Sequence, residues 1–152
     1  MAFTSGIKPE IQSVGAGESW DADHLILPFE KFVDTIKAGL FSRDDAGTLS
    51  KVDGTATPVL AGVTLRRVSS AVEHAGEYKT AFDDLVNVQR KGLVTVTAVT
   101  GQNPAKFASI YAENSTSADY GKATLTSAGN VDANAEFIRK ITDTVWLINL
   151  KG

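Results

Sequence analysis

Two short runs in the middle of the chain place apolar residues at every second position. Val86 and Val88 alternate with Asn87 and Gln89, and Val94, Val96 and Ala98 alternate with Leu93, Thr95, Thr97 and Val99. A period of two marks a half-buried strand, because successive side chains point to opposite faces. Between the runs lies Arg90-Lys91-Gly92, two polar residues and a glycine, which predicts a three-residue turn joining them as a central hairpin. A slip of one residue would turn the valines to water, so the pattern itself fixes the register.

Other stretches carry weaker versions of the same signal. Val59 to Val68 predicts a strand with Gly62 as a bulge. Phe107 to Ala112 and Lys122 to Ser127 predict two more, and Glu136 to Ile141 with Thr144 to Leu150 predict a closing pair. Arg43 to Pro58 reads as a surface loop with at most a brief edge strand, since Asp45-Ala46-Gly47 and Asp53-Gly54 are turn chemistry. Ala128 to Ala135 reads as a further loop. Ser69 to Asp84 is polar and turn-rich, with Tyr78 and Phe82 tucked beneath it.

The stretch from Leu25 to Ser42 admits two readings. Phe29, Phe32, Val33, Ile36 and Leu40 fall on one face of a helix, with Pro28 ahead of its first turn and Gly39 near its end. Alternatively, Leu25 to Leu27 form one strand and Ile36 to Ser42 another, broken by a bulge glycine. The helix is preferred on spacing. Closely spaced short strands with turns between them then predict a mainly β, single-domain fold over residues 24–152. Its architecture is an antiparallel β-barrel or jelly-roll-like sandwich with at most one short helix.

Residues 1–23 read as an extended N-terminal arm, glycine- and serine-containing, without a sustained period. Such a segment is either a loose terminus or an arm that orders against a partner. Phe3 and Trp20 are unusual in a floppy tail.

Composition narrows the function. The 152 residues are 43% hydrophobic and 22% charged, which suits one globular domain rather than a disordered chain. A formal net charge of −3 offers no general attraction to nucleic acid or an anionic membrane. The absence of cysteine removes disulfides, thiolate catalysis and cysteine metal sites. No apolar window is long enough to span a bilayer as a helix, and the N-terminus lacks a secretory pattern, so function without export across a membrane is expected.

The search for chemistry returns little. His24 beside Asp21 and Asp23 suggests a metal cluster on residue type alone, but a solvated turn explains the same residues. His74 and Glu77 suit a ligand pair only on a helix, which Gly76 weakens. Asp44-Asp45 and Asp83-Asp84 are adjacent carboxylates and on a strand would point apart. Neither a phosphate-cradling loop nor a nucleophile elbow is present. Arg90, Lys91 and Tyr111 do not make a basic stripe with stacking aromatics. The expectation is a non-enzymatic protein without cofactor, metal, nucleic-acid or membrane partner.

One set of runs has a wider likeness. It comprises Ala61-Gly-Val-Thr-Leu65, Val86-Asn-Val-Gln-Arg-Lys-Gly-Leu-Val-Thr-Val96, Phe107-Ala-Ser-Ile-Tyr111, Gly129-Asn-Val131, Ala135-Glu-Phe137 and Thr144-Val-Trp-Leu-Ile-Asn-Leu150. In this order they resemble the structural cement, or decoration, proteins of tailed-phage heads. Upstream, Ile36-Lys-Ala-Gly-Leu-Phe41 is also similar, which raises the extended reading of that segment. The final pair departs from the pattern at Arg139-Lys140 and Thr142-Asp143.

The resemblance implies a β-barrel or jelly-roll-like body on the outer capsid surface of a virion, made in the host bacterial cytoplasm. It would clamp neighbouring major capsid protein subunits and stabilise the head against internal DNA pressure. Implied partners are the major capsid protein and the chain itself, as a homodimer or alternatively a trimer. The expected capsid or subunit-interface residues are Phe3, Ile7, Ile11 and Trp20 of the arm. The alternative is a small β-sandwich binding module for glycans or a host surface, using Tyr78, Tyr111, Tyr120 and Trp146.

Overall fold

A computed structural model describes residues 16–19, 24–34, 36–66, 77–81 and 83–152. Among them are nine strands and no helix: β1 (Leu25–Phe29), β2 (Phe41–Asp45), β3 (Thr48–Lys51), β4 (Leu60–Thr64), β5 (Val86–Thr97), β6 (Ser109–Ala112), β7 (Ala123–Thr124), β8 (Val131–Thr142) and β9 (Val145–Lys151). They form one sheet in the order β3-β2-β4-β5-β9-β8-β6-β7, with β1 paired to β5 off this path. The paired ladders are all antiparallel, so the mainly β, antiparallel reading stands.

The expected central hairpin is instead one continuous strand. Arg90-Lys91-Gly92 does not turn the chain back; it bulges it. Along β1 the partners run Ile26 to Gln89 and then Leu25 to Lys91, which leaves Arg90 as an extra residue. Gly92 has φ +99°, a conformation glycine adopts without penalty. One inserted residue reverses the alternation beyond it. Val86 and Val88 therefore pack into one cluster with Phe32, Ile36, Leu49, Ala61 and Tyr78. Val94, Val96 and Ala98 pack into another with Phe41, Ile110, Phe137, Trp146 and Ile148. The Gln89 amide spans the bulge, its Nε2 donating to the carbonyls of Lys91 at 2.9 Å and Leu93 at 3.1 Å. The partners explain why the strand runs on: β1 and β4 flank its first half and β9 its second.

The preferred helix over Phe29 to Leu40 is also overturned. Leu25–Phe29 is a strand, Pro28 lying opposite Asn87. Beyond it the chain is irregular, with Phe32 bridging Leu49 and Lys37 bridging Glu77. The helix-like spacing arises because Phe32, Ile36 and Leu40 are each turned down into the body and buried. The extended alternative holds for its first strand, which runs on to Phe29; its second does not form over Ile36 to Leu40 and begins only at Phe41, as β2.

Arg43 to Pro58, expected as a loop, contains the tight hairpin β2–β3. Ala46 and Gly47 both have positive φ, 53° and 95°, the geometry of a two-residue type I′ turn. Asp44 Oδ1 accepts the Gly47 N–H at 2.8 Å and fixes that turn.

The closing pair is as expected, though β8 begins at Val131 inside the segment read as a loop. Ile138 and Ile141 are extra residues against β9, and such bulges increase local twist. The sheet curls into a half-barrel whose far end returns to β5. Ala98 forms a parallel bridge with Ala123, Val99 N–H donates to Ala123 at 3.0 Å and Ala98 N–H to Thr144 at 2.8 Å. Trp146, fully buried, fills the curl edge-on to Phe137 at 5.4 Å between ring centroids. Burying each such large side chain contributes roughly 1.5–3 kcal/mol.

Candidate functional site

Two surface features stand out: the place where the N-terminal segment joins the sheet, and a groove beside the bulge of β5. Residues 16–19 run antiparallel to β5, Ser19 bridging Val94. Gly17 N–H donates to Thr95 O at 2.7 Å, Thr95 N–H to Glu18 O at 3.0 Å, and Arg66 N–H to Gly17 O at 3.0 Å. Glu18 N–H also donates to Thr95 Oγ1 at 3.0 Å, and the Glu18 carboxylate pairs with Arg66 at 3.2 Å. Thr95 is fully buried as a result, although strand alternation alone gives it no partner. The arm's root is thus held as an added strand segment.

The groove lies between the start of β4, the start of β8 and the end of β9, with a volume of about 270 Å³. Val59, Leu60, Val131, Ala133 and Leu150 line it, with Arg90 and Asp132 among its polar residues. Both walls are bulged. Ala61 is an extra residue of β4 against β2, and Ala133 and Asn134 are extra residues of β8 against β6. Asn134 sits at φ 52° with its N–H on Asp132 Oδ1 at 2.9 Å. Of its apolar lining, Val59 is 61% exposed, Leu60, Val131 and Ala133 are partly buried, and Leu150 is buried. Sequence reading missed the groove because Val59 was counted into a strand interior and Val131 to Ala133 into a loop. Bulges leave little trace in composition.

Of the residues singled out from sequence, Phe3, Ile7, Ile11 and Trp20 lie outside the described residues, as do Asp21, Asp23, His74 and Phe82. His24 is exposed. The adjacent carboxylates serve turns: Asp44 fixes the β2–β3 hairpin, and Asp83 Oδ2 accepts the Lys79 N–H at 2.8 Å. Among the described residues no group of three His, Cys, Asp or Glu side chains is placed to hold a metal. Trp146 and Tyr78 are buried and Tyr111 and Tyr120 half-buried, so none of the four presents an exposed ring.

Asp34 is held below the usual carboxylate range by the backbone and side chain of Thr80, and Asp53 by the Thr55 hydroxyl. Burial pushes the Tyr120 phenol up. All three shifts follow from local structure, and no pair of them converges on a cleft as an acid and base would.

A model of the XM1 gp53 minor capsid protein family matches residues 17–151. The chain belongs to that family. The minor capsid family members are structural proteins, and this chain is accordingly a structural protein of a phage capsid. A solved chain from the capsid of Myoviridae phage XM1 is similar over 99% of this chain and 98% of its own length, with 33% identity and a TM-score of 0.85. No curated protein matches. The minor capsid match begins at Gly17, the residue whose bonds to Thr95 and Arg66 fasten the arm root to the sheet.

Proposed function

We propose that this protein is a cement, or decoration, protein that sits on the outer surface of a tailed-phage head. It clamps neighbouring major capsid protein subunits and stabilises the head against the pressure of packaged DNA. The observation that carries the reading is the likeness, over nearly the whole chain, to a chain of the phage XM1 capsid. The fastened arm root supports it, because a segment that grips a neighbour is useful only if its own end is anchored. Phe3, Ile7, Ile11 and Trp20 are the proposed contacts to the capsid or to a sister copy, the protein acting as a homodimer or trimer. Repetition over an ordered lattice lets modest contacts suffice.

The test is co-sedimentation of purified protein with mature-form capsids lacking it, followed by heat-induced DNA release. Saturable binding that delays release is expected. Failure to bind capsids of its own source overturns the proposal. Deleting Met1 to Gly15, which spares the Gly17–Thr95 bonds, should leave a folded body that no longer decorates; undiminished binding by the truncated protein refutes the role of the arm.

A further inference from the structure

We infer that the groove between β4, β8 and β9 receives the N-terminal segment 1–15 of a second copy of this chain, linking neighbouring copies by exchanged arms. The inference deepens the cement reading and rests on it for the setting, many copies held side by side. It stands on three observations.

The first is a match of shape and polarity. In an extended chain, odd-numbered side chains share one face. On that face of the arm are Met1, Phe3, Ile7, Pro9 and Ile11, with Ser5 and Ser13 its polar members and Gly15 at its end. The opposite face carries Ala2, Thr4, Gly6, Lys8, Glu10 and Gln12, with Val14 its one large apolar residue. Such a segment buries one face and leaves the other in water. The groove offers apolar lining from Val59, 61% exposed, and from the partly buried Leu60, Val131 and Ala133, beside polar lining from Arg90, Asp132 and Asn134. An apolar space of about 150 Å³ holds a benzene ring, so 270 Å³ accommodates the Phe3 ring or an isoleucine pair.

The second is direction. Residues 19 to 16 run along β5 from Val94 towards Thr97, where Gly39 lies against Ala16. The groove sits back along β5, beside Arg90 at the bulge and Gly152. At Ala16 the described chain, followed towards its N-terminus, therefore points away from its own groove.

The third is reach. Fifteen residues lie ahead of Ala16, enough to span roughly 50 Å when extended. A neighbour's groove is within range, whereas the arm's own requires it to reverse.

The cysteine-free chain makes disulfide trapping clean. Ile7→Cys and Val59→Cys are made singly, one variant carrying a size tag. They are mixed and oxidised, both at high concentration in solution and on capsids lacking the protein. Val59 lies outside the core clusters and is 61% exposed, so its replacement should leave the body folded. The expected result is a mixed-tag dimer formed several-fold more efficiently than with Asp45→Cys, at the remote β2–β3 turn, in place of Val59→Cys. The double variant Ile7→Cys/Val59→Cys should give ladders of linked copies. An internal loop within single chains, or linkage no better than to position 45, overturns the inference. Capsid binding without specific linkage sinks arm exchange but keeps the cement reading. Specific linkage in solution without capsid binding does the reverse.

Discussion

Replacing Gly62 with alanine probes how closely β4 and β5 approach. A Cβ at this position would lie 2.1 Å from the Gln89 carbonyl oxygen and 2.9 Å from its carbon. Both atoms are main chain at the bulge of β5, so no flexible side chain can yield. Relief requires β4 to shift by about 1 Å, a displacement typical of overpacked sites that cost about 1–3 kcal/mol. Gly62 also has φ +141°, a region that adds about 1–3 kcal/mol for any other residue. The β4–β5 ladder pairs Val63 with Gln89 and Thr64 with Val88, and Leu65 N–H donates to Asn87 O at 2.9 Å just beyond it. A loss of about 3–5 kcal/mol is expected, equivalent to a fall in Tm of roughly 10 °C or more for a chain of this size. Urea unfolding followed by tryptophan fluorescence measures it. Gly129→Ala is the control: its φ is +76° but the added Cβ meets nothing within 4 Å, so it reports backbone strain without the clash. If Gly62→Ala falls within 0.5 kcal/mol of the control, the close-approach argument is wrong.

Three further outcomes follow from the same structure. Ala46→Asn creates the Asn-Gly pair favoured in type I′ turns and should stabilise by about 1 kcal/mol, read as a Tm rise of a few degrees. Gln89→Leu strips the amide from the Lys91 and Leu93 carbonyls and should cost about 2–3 kcal/mol in urea unfolding; a neutral result would show that water replaces it. Asp34 accepts the Thr80 N–H at 2.8 Å and titrates below its usual range. Its contribution is therefore present above the unfolded-state carboxylate pKa near 4 and is lost as pH falls through the lower folded value. Tm should decline in acid, and Asp34→Asn should flatten part of that decline; identical pH profiles would refute the role.

How far the sequence could be read depended on whether a signal was local. The alternation through Val94, Val96 and Trp146, Ile148 showed correctly, because each pair lies on a regular stretch of ladder. Arg90-Lys91-Gly92 misled, because a turn and a bulge ask for the same residues; what separates them is whether partner strands continue on both flanks. Phe32, Ile36 and Leu40 imitated a helix because contacts distant in sequence, with Leu49, Tyr78 and Thr64 respectively, brought them down at near-helical spacing. The proposed contacts of the arm were visible only as large apolar residues in an otherwise polar stretch. The groove walls were not visible, since Val59, Ala61 and Ala133 owe their position to registers that no local pattern encodes.

The root of the arm has a mechanical meaning. Gly17 and Glu18 bond to Thr95 in a strand-like pairing that runs along β5. A pull along that axis loads the three main-chain bonds around Gly17 and Thr95, with the Glu18–Arg66 pair, together in shear rather than one after another as in unzipping. Force arriving through the arm is shared across β5, whose two halves belong to separate hydrophobic clusters, and both must yield before the strand can slide. In the proposed cement role, this geometry would place the strongest resistance along the line in which tension arrives.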